Sequence, residues 1–259
     1  MPSDEQPPQS FPNRFATATG PTSREPDRDR CQCLRPATRK VSFHRDRQDT
    51  TAPGWLRLLE LVDEAAADGR AVFQPFAELS GPERRQVVTL PPTIAKLTAV
   101  EKLVLYGTNL VRIPPEIGAM SGLRVFEPYT SHRLHWYPYE LTRCALLTRS
   151  TVSTRALYGN FKHRPPFPAL RPAEAGLDLT DLDPGARGAT AVRTCGVCDG
   201  PVGELHQVWI SRWVGTDVLP LLVNACSAEC VAALPEPAPD HVPTPHTGGP
   251  DVVQPAGRW

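Results

Sequence analysis

The chain has 259 residues, room for one large domain or two small ones, and a formal net charge of zero. Its thirty prolines are about twice the usual share and gather toward the two ends. No apolar run approaches the ~18 residues of a membrane-spanning helix, which excludes that class. The start, Met1-Pro-Ser-Asp-Glu, has neither the basic nor the apolar region of a signal peptide. A cytoplasmic location is therefore expected, where neighbouring cysteines bind metal more often than they form disulfides.

Residues 1–53, rich in Pro, Ser, Thr, Arg and Asp with few aliphatics, read as a disordered arm. Cys31 and Cys33 lie within it with no companion ligand at a useful spacing, so they read as incidental thiols. The pattern changes at Gly54. Trp55, Leu58, Leu59, Val62 and Ala65 to Ala67 share one helical face, and Gly69 supplies a stop. Residues 72–88 follow as an irregular unit with Phe73, Phe76, Leu79, Val87 and Val88 turned inward. Ser80 is its helix N-cap, with Pro82 and Glu83 in the first turn. Residues 54–89 are thus expected to cap one end of what comes next.

What comes next is a repeat. Leu90-Pro91-Pro92-Thr93-Ile94 returns 23 residues later as Ile113-Pro114-Pro115-Glu116-Ile117. Leu97 then answers to Met120, Val100 to Leu123 and Leu103 to Phe126. A period in the twenties with L-x-x-L-x-L spacing resembles the leucine-rich repeat family, most closely over Val100 to Pro114. The resemblance implies an α/β fold: a short solenoid with a parallel sheet, one strand per unit, over residues 90–170. Units fall at 90–112, 113–135 and 136–159. In the third, Trp136-Tyr-Pro138 replaces Leu-Pro and the register lengthens by one residue, placing Cys144 on the apolar face as a small hydrophobe. Thr151 to Ser153 reads as the last strand. Thr108 and Ser131 stand where the family has an asparagine, and their hydroxyls retain part of its bonding.

Stacking places the outward strand residues in columns: Lys102, Val125, Arg149; Val104, Glu127, Thr151; Tyr106, Tyr129, Ser153. Tyrosine and arginine are favoured interface anchors, so Lys102, Val104, Tyr106, Arg124, Glu127, Tyr129, Arg149 and Thr151 form the expected partner-binding surface. Residues 90–170 carry ten Lys/Arg against four Asp/Glu, and 171–259 carry five against eleven. That imbalance either draws the two halves together or steers an acidic protein partner to the repeats. Tyr129, His132 and His135 cluster near one turn, but their spacing assigns no nucleophile, base and orienting acid.

Residues 171–190 read as a Pro/Gly/Asp-rich linker. Cys195-Gly-Val-Cys198 and Cys226-Ser-Ala-Glu-Cys230 then make two close pairs at the spacing of a four-thiolate zinc site. Gly196 and Gly200 suit a tight knuckle, residues 202–223 a β-hairpin, and Ser227 to Leu234 a short helix. This order resembles a treble-clef finger over 191–234, with a structural Zn2+ held by Cys195, Cys198, Cys226 and Cys230. Trp209 and Trp213 suit docking of the hairpin on the repeats, and residues 235–259 read as a disordered tail. The expected function is non-enzymatic: a scaffold binding a protein partner on the repeat sheet. Nucleic-acid binding through the finger is the alternative, opposed by the acidic surroundings, and an enzyme built on His132 and His135 is a third.

Overall fold

The computed structural model describes residues 41–256, in which helix α1 (Pro53–Asp68) is the first long element. Pro53 pre-sets the first helical turn. Gly69 ends the helix at φ 65°, its N–H returning to the Ala65 carbonyl at 3.1 Å. Its apolar stripe, Trp55, Leu58, Leu61, Val62 and Ala65, is buried. Strand β1 (Val72–Phe73) and the short helices α2 (Pro75–Glu78) and α3 (Gly81–Gln86) follow. At α3 the expected cap is a full capping box: the Glu83 N–H donates to Ser80 Oγ, and the Ser80 N–H donates to the Glu83 carboxylate at 2.8 Å.

The fold is mixed α/β, built on a four-stranded parallel sheet of order β1, β2 (Lys102–Val104), β3 (Val125–Glu127) and β5 (Arg149–Ser150). The register aligns Val72, Lys102, Val125 and Arg149 in one row and Phe73, Leu103, Phe126 and Ser150 in the next. The offsets along this row are therefore 30, 23 and 24 residues, the first belonging to the irregular unit and the last to the lengthened third unit. Each strand returns through a 3-10 turn, at Pro92–Lys96, Pro115–Ala119 and Tyr139–Arg143. Pro91, Pro114 and Pro138 enter these turns at φ between −74° and −71°, the value their rings impose. Ile94, Ile117 and Leu141 are fully buried one above another, as are Leu103, Leu105, Leu123 and Phe126 in the same core. The last strand lies two residues earlier than expected, at Arg149–Ser150 instead of 151–153.

Backbone bonds tie successive turns together. The N–H groups of Arg124 and Val125 both donate to the Glu101 carbonyl, and those of Thr148 and Arg149 to the Arg124 carbonyl. Inside the bend after each strand, buried Thr108 and Ser131 hydroxyls lie 2.8 Å apart. Ser131 Oγ accepts the Thr108 N–H and donates to the Leu105 carbonyl. Small hydroxyls thus satisfy the buried backbone there.

A second sheet closes the stack. β6 (His206–Val214) and β7 (Asp217–Ala225) form an antiparallel hairpin, and β7 pairs in parallel with β4 (Tyr137–Pro138). The altered start of the third unit is therefore a strand. The hairpin tip also covers the open edge of β5: Ser150 Oγ donates to Val214 O at 2.8 Å, and Thr216 Oγ1 donates to Ser150 O at 2.7 Å. Gly215 sits so close to β5 that a Cβ there would lie 2.7 Å from the Ser150 nitrogen. Val208, Ile210, Leu219, Leu221 and Val223 complete the same core that starts at α1, so the C-terminal segment is not a separate domain.

The described parts of three segments expected to be disordered or linking, residues 41–53, 171–190 and 235–256, are instead packed. In the arm, Phe43 is buried, its ring stacked on Trp209 at 5.5 Å. In 171–190, helix α4 (Pro184–Arg187) buries Arg187, which donates to the carbonyls of Arg171 and Pro172. In the tail, His246 bridges Trp209 and Ala238 donates to Ser211 O, guarding the outer edge of β6. The arm and the tail both reach Trp209, which is fully buried among Phe43, Trp136, Tyr158 and Phe167 and donates to Pro168 O at 2.9 Å. Trp213, expected to dock, is 59% exposed. Buried Arg112 fastens the arm and the 171–190 segment to the repeats, donating to the carbonyls of His44, Asp46 and Gly188; burial brings its pKa down to about 10. Cys31 and Cys33 lie outside the described residues.

Truncating Leu103 to Ala should cost about 2–5 kcal/mol in chemical denaturation, because it opens a cavity between β1 and β3. Gly122→Ala should also destabilise, since its Cβ would meet the Thr98 carbonyl oxygen at 2.5 Å, whereas Gly203→Ala, facing open space, should leave the midpoint unchanged.

Candidate metal centre and sheet surface

The Sγ atoms of Cys195, Cys198, Cys226 and Cys230 all lie within 4.8 Å of one another. Cys198 to Cys226 is 3.6 Å and Cys226 to Cys230 is 3.5 Å. A tetrahedron of metal–sulfur bonds of about 2.3 Å has edges of about 3.8 Å, so the four sulfurs fit one tetrahedral ion. Each pair is positioned locally. The first sits in a turn where the Asp199 N–H returns to Cys195 O, the Cys195 N–H donates to Gly200 O, and Asp199 takes φ 62°. The second joins the end of β7 to helix α5 (Ala228–Ala232), whose N-cap Ser227 accepts the Cys230 N–H.

The left-handed residue of the knuckle is thus Asp199, not a glycine. Gly196 matters for close approach: a Cβ there would lie 2.8 Å from Glu140 Oε1. Glu140 is buried beneath the knuckle, and burial pushes its carboxyl up to about 7. Arg143 Nη2 donates to the carbonyls of Cys195 and Gly196 and pairs with Asp199 at 2.7 Å, fixing the knuckle to the third 3-10 turn.

The electrostatics suit a cation. Burial pushes the Cys195 thiol up, but amide donors from Cys198, Val197 and Cys226 outweigh it and bring it down to about 7. Cys226 is pushed up to about 12 by its hydrogen bonds with Cys230 and Cys198. Crowded sulfurs retain protons that a bound metal ion would displace. All four donors are protein sulfurs, which leaves no coordination position for a substrate in a tetrahedral site.

The second candidate is the sheet face. A concavity of about 590 Å³ is lined by Val72, Gln74, Lys102, Val104, Tyr106, Glu127, Tyr129 and Thr151. Tyr106 and Tyr129 stand side by side with ring centroids 6.1 Å apart, 61% and 47% exposed. Lys102 Nζ pairs with Glu127 at 2.9 Å, and Arg149 approaches the same carboxylate at 3.9 Å. Three of the expected contact residues sit differently, Arg149 being at the margin and not part of the lining. Val104 is buried as the floor of the concavity, and Arg124 pairs with Glu101 at 3.7 Å outside it. Val72 and Gln74 line the face without having been picked out, because β1 lies outside the clear repeat.

The histidines do not converge. His132 is exposed on a turn, whereas His135 is buried, flanked by His44 and Tyr158, with Nδ1 2.6 Å from Ala156 O. No helix of the described residues is long and apolar enough to cross a membrane. Neither protein-family models nor curated proteins match this chain.

Purified protein should carry one metal ion per chain by elemental analysis. Cys195→Ser or Cys226→Ser should abolish it and lower the melting temperature, while Cys144→Ser, buried elsewhere in the core, should keep the metal.

Proposed function

We propose that this protein is a short leucine-rich-repeat solenoid whose sheet face holds a protein partner, and that it works as a non-enzymatic scaffold. The observation that carries the reading is the exposed Tyr106–Tyr129 pair over the shared concavity. Aromatic side chains on a rigid sheet offer large contact area at low entropic cost. Glu127 offsets Lys102 and Arg149 where they approach, so aromatic contact, more than net charge, is the basis of recognition here. An acidic group on the partner would meet Arg149, whose side chain is 64% exposed.

The four cysteines take a structural Zn2+ in this reading, in a treble-clef-like arrangement of knuckle, hairpin and helix that caps the C-terminal end of the solenoid. The thiolate donor set and the hairpin-to-β5 bonds support both halves of that statement. A reducing, cytoplasmic setting would keep such thiolates available. Asp199, Glu204 and Glu229 around the cysteines oppose the phosphate contacts that nucleic-acid binding needs.

The test is affinity capture with wild type and a Tyr106→Ala/Tyr129→Ala variant. Removing both rings should weaken retention of the partner by about tenfold or more, with the melting temperature unchanged. Equal retention by both proteins would rule out the sheet face as the binding surface. His132→Ala should behave as wild type.

A further inference from the structure

A separate cavity of about 350 Å³ lies on the outer side of the hairpin, within the size range of small-ligand sites. Trp213 and Phe161 form part of its wall, 59% and 53% exposed respectively. Neither ring is needed for the core, and two large aromatics left this open beside one cavity call for an occupant.

The polar lining indicates the chemistry. Asp217 and Asp240 both contribute to the wall. Asp217 is half-buried; it shares the Ser150 Oγ proton with Val214 O, at 2.7 Å, and accepts the Val152 N–H, and no cation lies within ion-pair distance of it among the described residues. A desolvated carboxylate without a countercharge is costly, and a cation entering the cavity would relieve that cost. Arg164 is also in the wall, with its two Nη atoms engaged and its Nε without a hydrogen-bond partner among the described residues. Its guanidinium donates to the carbonyls of Gly159 and Asp240, bracing two loops held by left-handed backbone at Arg164 (φ 45°) and Asp240 (φ 62°). Burial depresses His241, so at neutral pH it adds no competing positive charge.

Aromatic faces joined to a carboxylate are the chemistry that holds alkylammonium groups, through cation–π attraction and a charge partner. We propose that the Trp213–Phe161–Asp217 cavity binds an organic cation of the alkylammonium class. A neutral molecule of the same shape would keep the apolar contact but lose both electrostatic contributions. The site is separate from the tyrosine face and stands whether or not that face binds a protein.

The full chain, 15N-labelled, is titrated with choline, with its neutral isostere 3,3-dimethylbutan-1-ol, and with a peptide bearing a trimethyllysine, following the Trp213 indole resonance. Both cations should shift it saturably, with the isostere about tenfold weaker. Preference for the peptide assigns the cation to a partner's side chain, and preference for choline assigns it to a free small molecule. Asp217→Asn retains an acceptor for Ser150 Oγ and should keep the melting temperature while abolishing the preference for cation over isostere. Trp213→Ala, at an exposed position, should remove binding, read there from the shifts of neighbouring backbone amides. No saturable shift with either cation, equal binding of the isostere, or an undiminished preference in Asp217→Asn would overturn the proposal.

Discussion

A single turn of this chain cannot cover its own apolar side, and everything else in the molecule answers that constraint. Leu103 is buried only because Phe73 and Phe126 lie in register on either side of it. Each internal turn borrows its seal from its neighbours, so the two ends need dedicated covers. At one end α1 lays Leu58, Leu61 and Val62 on the stack. At the other, the β6–β7 hairpin pairs with β4 at Leu221 and Leu222 and hooks β5 with its tip. Both edge problems, apolar surface and unpaired strand backbone, are met there by one element.

That hairpin is held at both ends. Its tip is bonded to Ser150, while its base runs into Cys226 and so into the cysteine cluster. The first cysteine pair is anchored in turn to the third 3-10 turn by Arg143. Between tip and base, Trp209 serves as the meeting point for the arm, the 158–170 segment and the tail. The proposed metal would thus lock a cover whose removal exposes the end of the core. Such a lock would give four cysteines a role at this position in a chain that already has a sizeable apolar interior.

The surfaces left after sealing are chemically distinct. On the sheet face the charges are paired around Glu127 and the tyrosines remain open. At the hairpin the Asp217 carboxylate, with no cation within ion-pair distance among the described residues, borders the same cavity as an open tryptophan and phenylalanine. One shared core holds both surfaces in place, and such preorganisation would lower the entropy cost of binding there.

The spacing of Leu, Ile and Pro in the repeats by itself determined the register, the core rows, the tyrosine pair and even the one-residue lengthening before Arg149, because stacking forces residues one period apart onto neighbouring strands. The two cysteine pairs likewise announced their own meeting, since their local turns aim sulfurs inward whatever surrounds them. The sequence left unmarked the ordering of residues 41–53, 171–190 and 235–256, for proline-rich segments with few aliphatics have no periodicity to read. Their order comes from long-range partners: Phe43 on Trp209, Arg112 on the His44 and Gly188 carbonyls, His246 on the β6 edge. Only the tertiary structure decided that Trp209 would be buried and Trp213 open, because that choice depends on which hairpin face meets the stack, a contact between segments distant in the chain.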